Sequence, residues 1–384
     1  MNIQASTRGQ VQSIAEIISA HARKLVAQGR DDLIYMNVGQ PSTGAPEQAL
    51  AALDNYAKND ILGYTPVAGL PVLKNRIAKM YQDTHQLEIN PNRIFITFGA
   101  SGAFILTFLA LFDAGQKIAL PLPCYPAYLN TKKLMGSEPV LLPTQLAHNY
   151  QPTVEDLEAL DTDIDCLVIT SPGNPTGSMM PPEQLETLIA YCQRKNILLI
   201  SDEIYHGIVF NSSIPMVSAL QYSDDLLVMN SFSKYYSIPG WRCGWVVLPE
   251  SVVGNFASVA RNLYVSPNAP SQIVAAACLD SLDELNTHVD RYAENRAILM
   301  REMPKAGFVD APAPDGAFYY YARVAGLQED SVDFCLRMLD EVGIAASPGT
   351  DFDPIHGRDH VRFSYAGSTA QMQEAVDRLK RWRG

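Results

Sequence analysis

Short, nearly continuous apolar runs that each stop at turn or polar residues set the tightest limit on what this chain can fold into. They are RIFITF (93–98), KIALPLP (117–123), CLVITSP (166–172), ILLISDE (197–203) and LLVMNSF (226–232). Between them lie stretches of helical period such as PPEQLETLIAYCQRKN (181–196), with proline where a first turn tolerates it. A strand that shows no apolar/polar alternation must be covered on both faces. Such strands separated by helices predict a mostly parallel sheet sandwiched by helices, an α/β fold. After about residue 271 the pattern changes. A long helical stretch (271–303) leads into GAFYYYARV (316–324), HVRFSYA (360–366) and closing helices, which reads as a smaller α+β domain. At 384 residues the chain is long for a single core, so two domains are expected: 42–281 as the large one, with 1–41 and 282–384 forming the small one. The N-terminal part contributes an amphipathic helix over 11–28 and a turn-rich stretch, MNVGQPSTGAP, over 36–46.

Composition removes several function classes. A formal charge of -12 argues against nucleic-acid or anionic-membrane binding, both of which need a basic face. No apolar run reaches the roughly 20 residues that span a bilayer, and the N-terminus lacks the apolar core of a signal peptide. The six cysteines form no CxxC pair and have no histidine at ligand spacing, so no metal site is expected. They sit in apolar surroundings such as DCLVIT and AAACLD, which suits a reducing cytoplasm.

In sheets of this kind ligands bind at the carboxyl ends of strands, and the polar clusters fall there: FGASGA, SPGNPTG, SDEIYHG and SFSK. Lys234 follows an apolar strand among aromatic and glycine residues, and a lysine desolvated in that way becomes an imine-forming nucleophile. Arg242 lies in GWRCGWVV, which reads as a strand. A guanidinium buried there needs an anionic partner, and a phosphate is a good one. Asp202 ends ILLIS, where it serves either as a site carboxylate or as a cap for the next turn. Asn174, in NPTG, reads equally as a turn residue, and Tyr205 follows Asp202 by three.

The ordered set of GASGA, SPGNPTG, SDEIY, SFSK with Arg242 downstream, and RFSYA resembles the class I/II aminotransferases, the aspartate aminotransferase superfamily of fold type I pyridoxal-phosphate enzymes. The likeness runs from MNVGQP to Arg362 in the family's order. It implies pyridoxal 5'-phosphate held as a Schiff base on Lys234, which also shuttles a proton. It implies Asp202 against the pyridine nitrogen, and Tyr205 and Asn174 as donors to the ring's 3'-oxygen. Tyr125 would stack on the ring. Ser101 and Gly102, at a helix N-terminus, would hold the phosphate together with Ser231 and Arg242. Tyr64 resembles a tyrosine that reaches the neighbouring subunit's phosphate, which implies a homodimer with shared active sites. Arg362 and Gly39 would bind the substrate α-carboxylate. The implied reaction moves an amino group from an L-amino acid to a 2-oxo acid, the alternative being a lyase or synthase of the same fold.

The chain departs from many relatives at Gln40, where they carry an acid, and at Asp353, where they carry glycine after the phenylalanine. A regulator with an aminotransferase-like domain would need a DNA-binding domain ahead of this fold, and residues 1–35 are too few for one. A dehydrogenase would need a GxGxxG that opens a helix with an acid at the right place, and none is present. Relatives that prefer dicarboxylates use an arginine from the neighbouring subunit for the distal carboxylate, and Arg261, in VARNLYVSP, is the candidate for that role. The competing reading is an arginine on the outer face of a helix, and it predicts neutral or apolar donors in preference to aspartate.

Overall fold

The computed structural model describes residues 14–134, 139–210 and 213–383. In chain order the strands are β1 (Ile34–Tyr35), β2 (Ile94–Thr97), β3 (Ile118–Leu122), β4 (Val140–Pro143), β5 (Cys166–Thr170), β6 (Leu198–Asp202), β7 (Leu227–Ser231) and β8 (Gly244–Val247), together with β9 (Phe308–Val309), β10 (Tyr319–Val324), β11 (Ile344–Ala345), β12 (Ser347–Pro348) and β13 (His360–Ser364). The first ten helices are α1 (Ile14–Ala27), α2 (Glu47–Asn59), α3 (Pro71–His85), α4 (Gly99–Leu111), α5 (Pro126–Leu134), α6 (Val154–Glu158), α7 (Pro182–Lys195), α8 (Val253–Tyr264), α9 (Ala269–Cys278) and α10 (Leu282–Glu302).

The five apolar runs all become strands of one seven-stranded sheet, ordered β2-β8-β7-β6-β5-β3-β4. Every pairing from β7 through β4 is parallel, while β8 runs antiparallel to both neighbours. The sheet is therefore mostly parallel, with one reversed strand. That reversal matters for the site: the amino end of β8 lies beside the carboxyl ends of β2 and β7, with Gly244 opposite Thr97 and Ser231. Strands β7 and β8 are buried along their whole length, as their lack of alternation requires.

Helices cover both faces of this sheet. Helix α7 shows why the sequence makes one. Proline opens its first turn, Glu183 and the Arg194–Lys195 pair complement its dipole, and Asn196 closes it in the left-handed region at φ 54°. Its Leu185, Leu188, Ile189 and Cys192 recur at helical spacing and join the core that also holds Leu167, Leu199, Val228 and Trp245. On the opposite face Ala103, Leu106 and Phe108 of α4 pack with Phe95, Val168, Ile200, Met229 and Phe256.

A second, four-stranded antiparallel sheet, ordered β12-β13-β10-β9, carries its own core around Phe308, Tyr320, Phe334, Val361 and Phe363. The N-terminal segment joins this part of the molecule. β1 pairs in parallel with β11, and Ile18 and Ala22 of α1 enter the same core. The helix expected over 11–28 is seen as α1; residues 11–13 lie outside the described residues.

One expectation differs. The single helix read over 271–303 is two, α9 and α10, broken at 279–281. Asp280 and Ser281 favour turn conformations over helix, and Asp283 and Glu284 then sit in a new first turn where the dipole favours them. Among the described residues no helix is long and apolar enough to cross a membrane, and no group of three metal-ligating side chains occurs. All six cysteines are buried, and none forms a disulfide with another.

Candidate active site

The carboxyl ends of the parallel strands, the amino end of β8 and the small sheet enclose a cavity of about 350 Å³. Lys234, Asp202, Tyr205, Ser101, Tyr125, Asn174, Arg242, Gly39 and Arg362 all line it. Gly102, Ser231 and Tyr64 do not.

Lys234 reaches the cavity from the loop that leaves β7. Its Nζ donates to the Gly39 carbonyl and lies 5.7 Å and 5.9 Å from the ring centroids of Tyr205 and Phe318. Burial pushes its pKa down to about 8, and the Arg362 charge adds to that, against the opposing pull of Asp202. Asp202, 3% exposed at the end of β6, accepts from the Tyr128 hydroxyl and from the Ile204 amide at 3.1 Å. It is thus both a cavity carboxylate and a turn cap. Burial pushes its pKa up to about 6, with the Tyr128 hydrogen bond resisting.

Arg362 is buried on β13, its guanidinium carbon 4.5 Å from the ring centroids of both Tyr319 and Phe352. It donates to Asn174 Oδ1 at 2.9 Å, to the Asn37 carbonyl at 2.6 Å and to Ser347 Oγ at 3.1 Å. Its Nε has no partner among the described residues. The Arg362 charge is felt by Asp351, yet among the described residues no carboxylate comes within ion-pairing distance of it. A guanidinium held this way is short of one anion.

Gly39 fits here because it lacks a side chain: a Cβ would stand 1.9 Å from the Tyr319 hydroxyl oxygen. Tyr205 donates to or accepts from that same hydroxyl at 2.7 Å. Tyr125 stands against Tyr128, ring centroids 5.5 Å apart and nearly perpendicular.

At the mouth, Arg242 departs from the sequence expectation. It is neither on a strand nor buried. A left-handed φ of 52° ends the short helical turn Pro239–Trp241, and β8 begins two residues later. Its guanidinium donates to the Pro239 carbonyl at 2.8 Å and more weakly to the Phe98 carbonyl at 3.5 Å. It lies over Gly99, where a Cβ would come within 2.6 Å of Nη2 and where φ is +69°. Gly99 opens α4, so the free first-turn amides belong to Gly99, Ala100 and Ser101. Gly102 stands one residue beyond them, where the helix's own hydrogen-bond pattern begins. Ala100, not singled out from sequence, lines the cavity in its place. Ser231 is buried just below, its hydroxyl on the Cys243 carbonyl at 3.0 Å and on Ser233 Oγ at 2.8 Å, and Ser233 faces the cavity.

Tyr64, 89% exposed, lies away from this chain's cavity. Arg261 is exposed in the last turn of α8 and does not line the cavity either. Gln40 lines it, while Asp353 caps a turn, accepting from the Ile355 and His356 amides at 2.8 Å and 2.9 Å. Besides Ala100 and Ser233, the sequence reading missed Tyr128, Tyr319 and Asn37. Tyr128 carried a signal, following Tyr125 by three residues in the first turn of α5.

Comparison with known proteins gives consistent findings. The profile described as aminotransferase class I and II matches residues 31–379. The chain is 39% identical over 354 residues to a valine–pyruvate aminotransferase of Mycobacterium tuberculosis, covering 91% of each. It is 30% identical to an aspartate aminotransferase of Thermotoga maritima, covering 94% of each. A crystal structure of an aminotransferase from Mycobacterium tuberculosis superposes with a TM-score of 0.96 at 36% identity, covering 100% of this chain and 99% of the other.

Proposed function

The chain belongs to the class I and II aminotransferases, which use pyridoxal 5'-phosphate, and from that premise we propose that Lys234 holds this cofactor while the enzyme transfers the amino group of a neutral, apolar L-amino acid to a 2-oxo acid. The observation that carries the reading is the convergence of Lys234, Asp202 and Arg362 on one cavity.

The residues present fit the cofactor. Asp202 is a buried carboxylate without a cationic hydrogen-bond partner among the described residues, suited to a protonated ring nitrogen. Tyr125 offers an aromatic face, and Asn174 and Tyr205 offer polar atoms at the cavity wall. The first-turn amides at Ala100 and Ser101, together with Arg242 above the side-chain-free Gly99, make an anion cradle for the phosphate. Ser231 supports that cradle through Ser233.

Bound there, pyridoxal phosphate supplies a carbonyl carbon that captures amines and a ring that takes up the electrons released when the substrate Cα–H bond breaks. The protein's own groups do the rest. Burial, which holds its pKa down to about 8, favours the neutral amine of Lys234 that acts as nucleophile and then carries the Cα proton. Asp202 holds a fixed negative charge at the site's dry end. Arg362, clamped between two rings, takes the α-carboxylate as its missing anion and so fixes which substituent on Cα faces Lys234.

The donor class comes from counting cations. Among the described residues lining the cavity they are Lys234, Arg242 and Arg362, and each already has a role: imine, phosphate and α-carboxylate. The rest of the lining mixes apolar Ala15, Val38 and Ile204 with the uncharged polar Ser19, Gln40 and Thr131. Among the described residues lining this chain's cavity a distal carboxylate finds no free cation, so it would be desolvated without a partner unless the other subunit supplied one, and the exposed Arg261 is the residue that tests this. The valine–pyruvate activity named for the mycobacterial relative supports the same choice. The exposed Tyr64 fits a homodimer in which it completes the other subunit's phosphate site, and buried cysteines outside any disulfide fit a cytoplasmic location. A division into 42–281 against 1–41 with 282–384 is supported by the cavity lining, to which the second part contributes Ala15, Asn37, Tyr319 and Arg362.

Borohydride reduction of the holoenzyme and then peptide mapping test the assignment. The cofactor adduct is expected on Lys234, and an adduct on any other lysine overturns it.

A further inference from the structure

Two buried polar atoms behind the candidate active site have no hydrogen-bond partner among the described residues, and they are near neighbours. They are Glu203 Oε2 and His206 Nδ1, 3.4 Å apart. Leaving both unsatisfied would be costly, and one proton between them satisfies both.

The surroundings say where that proton sits. The Glu203 carboxyl is asymmetric. Oε1 accepts from the Ala219 amide at 2.8 Å, Ser218 Oγ at 3.1 Å and Ser201 Oγ at 3.3 Å, while Oε2 accepts from none of the described residues. One oxygen thus behaves as a carbonyl and the other is free to be a hydroxyl. On the imidazole, a contact with the Ser171 backbone favours a proton on the ring, and the tautomer that carries it on Nε2 leaves Nδ1 to meet Glu203. Nδ1 is then a lone pair in the neutral ring. A lone pair facing an acid oxygen requires the acid to be the donor.

The alternative, an ionised Glu203 beside a cationic His206, would desolvate two charges. Burial opposes both, pushing Glu203 up to about 8 and His206 down to about 3. The His85 ring, 5.5 Å away and itself pushed down to about 4 by burial, offers no counter-charge.

This pair sits back to back with the site. Asp202 and Tyr205 line the active cavity, whereas His206 lines a separate cavity of about 250 Å³ together with His85. Residues 202 and 205 thus point one way and 203 and 206 the other, on a turn closed by the His206 amide donating to the Glu203 carbonyl at 3.0 Å. We propose that Glu203 is a positioning residue that works as a neutral carboxylic acid, donating its proton to His206 Nδ1 and clasping from behind the turn that presents Asp202 and Tyr205. Its neutrality also leaves Asp202 the single negative charge at that strand end, since each carboxylate disfavours ionisation of the other. The role, though not the proton's place, rests on reading Asp202 as the partner of the cofactor's ring nitrogen.

Infrared spectroscopy of the holoenzyme at pH 7 with labelled glutamate tests it. A carboxylic-acid C=O band is expected in the wild type and lost in Glu203→Gln. Glutamine keeps the carbonyl acceptor and an N–H donor toward His206, so Glu203→Gln is expected within about threefold of wild-type kcat. Glu203→Leu keeps neither and is expected to lose up to about 100-fold in kcat with little change in KM, and to move the pH at which the cofactor absorbance changes. Absence of the acid band with both His206 ring nitrogens protonated by NMR would overturn the proposal, as would Glu203→Gln losing as much as Glu203→Leu. Normal turnover in Asp202→Asn would instead sink the cofactor reading, while the infrared band still decides the Glu203 proton.

Discussion

Replacing Asp202 with asparagine should stabilise the cofactor-free protein while crippling the enzyme. The side chain is 3% exposed, and burial lifts its pKa from 3.8 to about 6. At roughly 1.4 kcal/mol per unit, keeping it ionised in the fold costs about 3 kcal/mol. The unfolded carboxyl ionises near its ordinary value, so from about pH 4 to pH 6 the folded state binds more protons and stability falls as pH rises through that window. Above it the cost is constant; below about pH 4 both states are protonated and the cost vanishes. Asparagine fills the same space. Its carbonyl can accept from the Ile204 amide, and the Tyr128 hydroxyl can turn toward Thr170 Oγ1, 3.1 Å away. In urea unfolding at pH 7 the cofactor-free variant should therefore exceed wild type by about 3 kcal/mol, or about 4 °C in Tm for a chain of this length. The gap should close toward pH 4. The same change removes the charge facing the ring nitrogen and should lower kcat by about 100-fold or more. A variant no more stable than wild type at pH 7, or a gap independent of pH, would refute the reasoning.

Three further outcomes are expected. Arg362→Lys loses the planar fork held between Tyr319 and Phe352, so KM for the amino donor should rise by about 100-fold with cofactor binding intact; an unchanged KM would remove Arg362 from carboxylate recognition. In a donor panel read as kcat/KM, valine-like amino acids should outrank aspartate, and Arg261→Ala should leave the order unchanged; an aspartate preference that collapses in Arg261→Ala would make that arginine the specificity residue. Light scattering should find a dimer, and Tyr64→Phe should weaken cofactor retention more than turnover; a fully active monomer would contradict the shared site.

The features legible in the sequence divide from the rest along a physical line. The parallel sheet and the places of Lys234, Asp202 and Asn174 were legible because each residue lies at or just past the end of a fully apolar run, and strands buried on both faces bring such positions to one end of the sheet. Arg242 was misplaced because GWRCGWVV has the composition of a single strand. Only a left-handed φ of 52° and the reversed direction of β8 return its guanidinium to the rim where the other strands end. The helix over 271–303 looked continuous because its apolar period survives the break at Asp280 and Ser281.

The groups that the sequence reading passed over are those whose job is to hold another group. Tyr319 reaches Arg362 through the β10–β13 register, which sets Tyr321 opposite Arg362 and Tyr319 two residues along on the same face. Asn37 acts through its backbone carbonyl, which any residue could supply, so its identity carried no signal. Tyr128 shows the consequence for reactivity. Its hydroxyl is the group that opposes burial most strongly at Asp202, so the charge at the strand end depends on a tyrosine 74 residues away in sequence. A motif names the carboxylate. Its ionisation at neutral pH is a property of how α5 packs against the end of β6, and that becomes visible only once the chain is folded.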